Sequence, residues 1–260
     1  MTGSTSLRRG GLGRFELSGK VVVIAGATGG IGAACARACA EEGARVVLGY
    51  HRRGDRAAAL ADELPGDGHT PVVLALDDTP SLAAAAAGVM KAHGRCDVLI
   101  NAAGFTVTVP HTNLNAMDDE TFDRILTTNV RGSFALVREF ADALRAAGDS
   151  VVVSVSSIAG VTGLGSSIAY CASKAAVDVM TLSLARALAP QVRVIGVSPA
   201  AVATDFVPGR GLDAIEKQAA STPLRIVVDP SDVAVSIVGA ITHARLTTGT
   251  NIVIDGGRHL

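Results

Sequence analysis

Ser157, Tyr170 and Lys174 are the residues whose types and spacing most directly suggest chemistry. Tyr170 and Lys174 stand four apart, in the run Tyr170-Cys171-Ala172-Ser173-Lys174. On a helix that spacing puts both side chains on one face. A phenol titrates near ~10 in its reference state, so it is a poor acid or base near neutrality. An ammonium group within about 4–6 Å stabilises its anion and lowers that value. Ser157 offers a hydroxyl that can hydrogen-bond an oxygen beside the phenol. Together the three can protonate an oxygen on which negative charge develops. On its own, a Tyr-x-x-x-Lys pair reads better as an amphipathic tyrosine and a snorkelling lysine on a surface helix.

The context favours the chemical reading. Gly26-Ala27-Thr28-Gly29-Gly30-Ile31-Gly32 directly follows the first apolar run. Glycines there allow a tight turn and a close approach of backbone to pyrophosphate, and the helix that follows presents N–H groups and the positive end of its dipole. The spacing Gly26-x3-Gly30-x-Gly32 differs from the common G-x-G-x-x-G. Asn101-Ala102-Ala103-Gly104 closes the fourth apolar run, a position where ligands of such sheets bind; alone it is an ordinary strand-to-loop turn. The second run ends Gly49-Tyr50 without an acid, and His51, Arg52 and Arg53 follow. An acid at that tip would accept hydrogen bonds from an adenosine ribose and repel a 2′-phosphate, whereas an arginine accommodates the phosphate. The expected dinucleotide is therefore NADP(H) rather than NAD(H), with Arg52 as first ligand and His51 and Arg53 behind it. Asp55 stands close enough to pair with one of these arginines instead.

The elements that must position these groups are visible as near-continuous runs of Val, Ile and Leu at 21–25, 45–50, 71–76, 97–101, 150–155, 192–197 and 251–254. Such runs suit strands covered on both faces. Ala-rich segments at helical spacing lie between them, at 31–42, 56–64, 81–92, 119–147, 168–189 and 231–242. Strand–helix alternation of this depth predicts a single-domain α/β Rossmann fold, a doubly wound, mostly parallel seven-stranded sheet with helices on both faces. One domain is expected over 18–260, behind a disordered tail at 1–17. The stretch 205–222 is expected to be a long irregular loop of the kind that closes over ligands.

The chain has 260 residues, 48% hydrophobic but only 3% aromatic, so its core must be Ala, Val, Leu and Ile. A formal net charge of −1 argues against nucleic acid as a partner. No uncharged apolar run reaches the roughly 18 residues of a membrane span. Cys35, Cys39, Cys96 and Cys171 form neither a C-x-x-C nor a Cys/His cluster, which predicts free buried thiols in a reducing cytoplasm and no metal site.

Read together, these motifs resemble the short-chain dehydrogenase/reductase family, over about residues 17–257. The resemblance is carried by Gly26/Gly30/Gly32, Asp77, Asn101 to Gly104, Asn129 in Thr128-Asn129-Val130-Arg131-Gly132, Ser157/Tyr170/Lys174, Ser198-Pro199 through Thr204, and Asp255-Gly256-Gly257. It implies a catalytic tetrad of Asn129, Ser157, Tyr170 and Lys174, with Asn129 holding a water that links Lys174 to solvent. Ser157 is the serine chosen because the family spacing before the tyrosine falls on it. The resemblance implies cofactor contacts from Gly26, Thr28, Gly30, Ile31, Gly32, Asn101, Ala103, Gly104, Tyr170 and Pro199. Lys174 would grip the nicotinamide ribose, Asp77 would meet the adenine, and Val202 and Thr204 would meet the carboxamide. Ala25, Ala102 and Ala200 depart from the usual Thr, Asn and Gly of the family.

The implied activity is NADPH-dependent reduction of a carbonyl, similar to 3-oxoacyl-(acyl-carrier-protein) reductases. The alternatives are an NAD-dependent alcohol, polyol or steroid dehydrogenase and a non-catalytic dinucleotide sensor. The substrate pocket is expected around Thr162 to Leu164 and 205–222. In this family the helices at 119–147 and 168–189 pair across two-fold axes, so a homotetramer is expected, with a dimer next. The small residues Ala141, Ala143, Ala146 and Ala147, and Ala175, Ala176, Ala185 and Ala187, would line the contact.

Overall fold

The computed structural model describes residues 13–260. Seven strands form one sheet: β1 Val21–Ala25, β2 Arg45–Tyr50, β3 Thr70–Val73, β4 Val98–Asn101, β5 Ser150–Val155, β6 Val192–Pro199 and β7 Thr250–Ile254. Their order is β3-β2-β1-β4-β5-β6-β7, and every pair is parallel. The expected sheet is thus present, and parallel throughout. Burial on both faces explains why β1 is apolar at every position: Val22 and Ile24 enter one core while Val21, Val23 and Ala25 enter the other.

The first core lies under α1 Gly30–Glu41, α2 Gly54–Glu63 and α9 Pro230–Thr242. The second lies under α3 Thr79–His93, α5 Ser133–Ala147 and α7 Ile168–Leu188. Crossovers from β1 to β2 and from β4 to β5 run outward in opposite senses. The order therefore reverses between β1 and β4, where Ala25 pairs with Asn101. Loops leaving the two strands part there and open a crevice at their carboxyl ends.

Several expectations need correction. Residues 1–12 of the expected tail lie outside the described residues. Residues 13–17 do not behave as a tail: Phe15 and Leu17 are buried in the first core, and the Phe15 amide donates to Thr242 O at 2.8 Å. Two apolar residues in a polar stretch carry too little periodicity to announce this packing. The third strand ends at Val73 rather than 76: the Leu74 amide still donates to Tyr50 O at 2.7 Å, and the chain then turns, with the Asp78 amide donating to Ala75 O at 3.1 Å. The segment 119–147 is not one regular helix. α4 Asp119–Leu126 passes into a π-helical stretch, Thr127–Gly132, and then α5. The loop at 205–222 contains α8 Leu212–Ala219, and a short α6 Ala159–Thr162 follows β5.

By length and mean hydropathy, 1.3 over its most apolar window, α7 alone among the described helices could cross a membrane. Here it packs on β6, with Tyr170, Ser173 and Lys174 buried. Of the alanines expected at a subunit contact, Ala143 and Ala185 face the sheet and belong to the second core.

Candidate active site

Two cavities open at the carboxyl ends of the strands. One, of about 630 Å³, lies over β1, β2 and the start of α1. The other, of about 840 Å³, lies over β5 and β6 beneath the loop before α8. Ile31, Ala103, Gly104, Thr204 and Phe206 border both, so the two communicate at the crevice.

The smaller cavity is formed by the glycine loop. Gly26 has φ +76°, and a Cβ there would lie 2.8 Å from the backbone of Ala103, so only glycine lets the β1 and β4 loops meet. A Cβ on Gly30 would strike the Thr204 methyl, closing the gap between loop and β6. No side chain caps α1, and its first turn holds no acid. Its positive end is thus left to the cavity, the arrangement that receives a pyrophosphate. Thr28 and Gly32 line this cavity with Gly26, Gly30 and Ile31, and Asp77 lies on its wall.

His51, Arg52 and Arg53 line it beyond β2. Arg56, on the first turn of α2, joins them although the sequence reading passed it over. Its signal was its place three residues after Arg53. Asp55 forms no ion pair with any of these arginines among the described residues. Arg124 of α4 also borders the cavity, stacked 4.1 Å over the Phe105 ring. The lining therefore fits a dinucleotide: glycines where phosphates need backbone, cations where a further phosphate would arrive.

Ser157, Tyr170 and Lys174 converge on the larger cavity, where Pro199 and Val202 add the β6 side. Ser167 caps α7 by accepting from the Tyr170 amide at 3.2 Å, which fixes the turn that carries the phenol. Lys174 donates from Nζ to Val155 O at 2.8 Å and stands 5.6 Å from the Tyr170 ring centroid. Burial pushes the phenol up to about 12, against the hydrogen bond of Ser157 and the charge of Arg210, which both lower it. Burial pulls the Lys174 ammonium down to about 8, against the charge of Asp178, one turn further along α7. The lysine was expected to lower the phenol. The charge that lowers it here is that of Arg210, while the Lys174 ammonium donates to Val155 O. Phe206 packs 6.0 Å from the Tyr170 ring.

Asn129 and Asn101 are the expected site residues that border neither cavity. The Asn129 amide is held by its neighbours: Nδ2 donates to Phe105 O at 2.9 Å and Ser173 Oγ at 3.0 Å, and Oδ1 accepts from Phe105 N at 2.8 Å. Ser173 in turn donates to Tyr170 O at 2.7 Å. Asn129 thus meets α7 between its two chemical residues rather than at Lys174 itself. Asn101 donates to Ser133 Oγ at 2.8 Å and accepts from the Ala103 amide at 3.3 Å. It shapes the β4 turn from behind.

Arg210, His111, Lys217 and Arg258 also border the larger cavity and were not foreseen. Leu164 borders it as expected, whereas Thr162 turns back to donate to Ile158 O at 2.9 Å.

Residues 20–213 match the family model for short chain dehydrogenase. A D-threitol dehydrogenase from Mycolicibacterium smegmatis is 34% identical over 251 residues, covering 94% of each chain. A 3-oxoacyl-(acyl-carrier-protein) reductase from Thermotoga maritima is 33% identical over 247 residues, covering 94% of this chain and 99% of its own. Among solved structures, a 3-ketoacyl-(acyl-carrier-protein) reductase from Brucella melitensis complexed with NADH superposes with a TM-score of 0.85 at 30% identity. It covers 94% of this chain and 100% of its own. With its parallel sheet, glycine loop and Ser/Tyr/Lys cluster, this chain belongs to the short-chain dehydrogenase/reductase family of NAD(P)-dependent oxidoreductases.

Proposed function

We propose that the protein reduces a ketone carbonyl with NADPH, and that Tyr170 is the proton donor. The observation that carries this reading is the convergence of Ser157, Tyr170 and Lys174 on one cavity that opens directly into the glycine-lined one. A bound dinucleotide supplies the hydride. The Ser157 hydroxyl donates a hydrogen bond to the substrate oxygen, and Tyr170 passes its proton to that oxygen as charge builds there. Lys174 supplies a cation in the cavity wall and a donor for the cofactor ribose. Asn129 positions α7 through Ser173.

Preference for NADPH is supported by Arg52, Arg53 and Arg56 beyond a β2 tip that lacks an acid. A 3-oxoacyl thioester is the first substrate class to try, in view of the Thermotoga maritima relative. The D-threitol dehydrogenase relative favours a second reading, NAD-dependent oxidation of a polyol. Steady-state consumption of NADPH and NADH against acyl thioesters, quinones and sugar ketones tests the proposal. Faster turnover with NADPH and a ketone supports it. NAD-linked polyol oxidation selects the second reading, and binding without turnover selects a dinucleotide sensor.

We further propose a homotetramer in a reducing cytoplasm. Phe134 on α5 and Val179 and Leu182 on α7 are exposed apolar side chains that such a contact would cover, and all four cysteines are free and buried. Light scattering at micromolar concentration checks the assembly; a monomer contradicts it.

A further inference from the structure

The larger cavity has a cationic lining that carbonyl reduction alone does not use. Arg210, Lys217 and Arg258 border it together with His111, and among the described residues no aspartate or glutamate does. The chain as a whole is nearly balanced, at −1, so this excess is local. Arg210 is half-buried in the loop between β6 and α8, where its amide donates to Val207 O at 3.2 Å. Its Nε and the Nε2 of His111 are enclosed without a hydrogen-bond partner among the described residues. Arg258, by contrast, has a partner beside it: with the Gln218 side-chain amide turned over, its oxygen accepts from the Arg258 guanidinium. Lys217 is exposed at the rim.

An enclosed charged donor left unpaired is costly, and a carboxylate or phosphate is the group a guanidinium fork pairs with best. Arg210 and Tyr170 line the same cavity, and the charge of each bears on the other. Whatever Arg210 holds therefore shares that cavity with the reacting oxygen.

We infer that the substrate carries an anionic oxygen group, a carboxylate or a phosphate, held by Arg210 in the same cavity as the carbonyl that meets Ser157 and Tyr170. This rests on the carbonyl-reduction reading and narrows it to oxo acids or oxo phosphates. A neutral sugar ketone or polyol would accept a hydrogen bond from Arg210 but leave its charge unmatched. The competing role for Arg210, support of the phenol alone, predicts equal losses on charged and neutral substrates.

The test uses matched pairs with the full-length enzyme and saturating NADPH: 4-oxopentanoate against its methyl ester, and dihydroxyacetone phosphate against dihydroxyacetone. Calorimetric titration with glutarate and with inorganic phosphate runs in parallel. The wild type should favour at least one charged member by about tenfold or more in kcat/KM, the worth of one charged hydrogen bond. Which pair shows the preference tells carboxylate from phosphate. Arg210→Gln should erase the preference, slowing the charged member by about tenfold more than its neutral partner, and weaken binding of the matching anion by about tenfold. Arg210→Lys should recover part of both, which separates loss of charge from loss of fold.

Equal rates within both pairs in the wild type overturn the inference. So does an Arg210→Gln variant that slows charged and neutral members alike. If no ketone is turned over, Arg210-dependent anion binding supports the inference and counts against the carbonyl reading. Absence of such binding overturns the inference as well.

Discussion

Lys174 holds its ammonium 5.6 Å from the centroid of the Tyr170 ring, one helical turn away on α7. The two groups shift in the directions that burial imposes, the phenol up to about 12 and the ammonium down to about 8. Near neutral pH the phenol keeps its proton, and the ammonium is charged beside it. That is the protonation state a reduction needs, with a proton ready for the oxygen that gains charge.

The first expectation concerns rate against pH. Lys174 is cationic below about 8 and neutral above it. The reductive kcat/KM should therefore hold on the acid side and fall as pH rises through about 8. Lys174→Met should be slow at every pH and lack that limb. A wild-type profile flat from pH 7 to pH 10 (an interval of about 3 units spanning the shift) contradicts the role given to Lys174.

The same shift is a statement about stability. The folded value lies below the unfolded one, so between about 8 and the reference 10.5 the unfolded chain binds more protons and stability rises with pH. Below that window the fold carries the cost of a buried ammonium, up to about 3 kcal/mol for a shift of this size. Lys174→Met should thus melt a few degrees higher than wild type at pH 7, and the difference should shrink above pH 8. Thermal denaturation at several pH values measures it. A variant that melts lower at pH 7, by the same margin at every pH, argues that packing and not charge dominates the site.

Asn129→Ala should destabilise the fold and reduce activity together. The change strips the Phe105 amide and carbonyl of their partner and the Ser173 hydroxyl of one of its two. Each buried group left unpaired costs about 1–3 kcal/mol. Denaturant midpoints below wild type, with a lowered kcat, are expected. Full stability with lost activity would instead give Asn129 a purely chemical part.

The β-branched runs made the sheet legible, because strands buried on both faces cannot alternate with polar residues. Tyr170 and Lys174 were legible because helical spacing is local, and the Gly26 loop because a positive φ and a 2.8 Å approach to Ala103 admit no side chain. What sequence did not show depends on closure in space. Thr127–Gly132 keeps a helical pattern while its backbone widens to bring Asn129 against Phe105 and Ser173. α8 is a short helix behind Pro208, Gly209 and Gly211, which read as loop. Arg210 is one arginine in an irregular stretch until the fold sets it on the cavity that Tyr170 lines. Asn101 looked like a ligand because it ends β4, yet its amide turns inward to Ser133.

Arg52→Ala should weaken NADPH binding by about tenfold or more, since losing one charged phosphate contact costs about 1.5–3 kcal/mol. NADH should be nearly unaffected. Fluorescence titration of both dinucleotides decides it. A wild type that binds and uses NADH as well as NADPH shows that the arginines beyond β2 face solvent only.

Tyr170→Phe tests the central claim most directly. It removes the phenolic oxygen and keeps the ring against Phe206. With the preferred ketone, kcat should fall by at least ~10²-fold, the usual worth of general acid–base help. Dinucleotide affinity and melting temperature should stay close to wild type. A Tyr170→Phe enzyme that keeps near wild-type kcat contradicts the account.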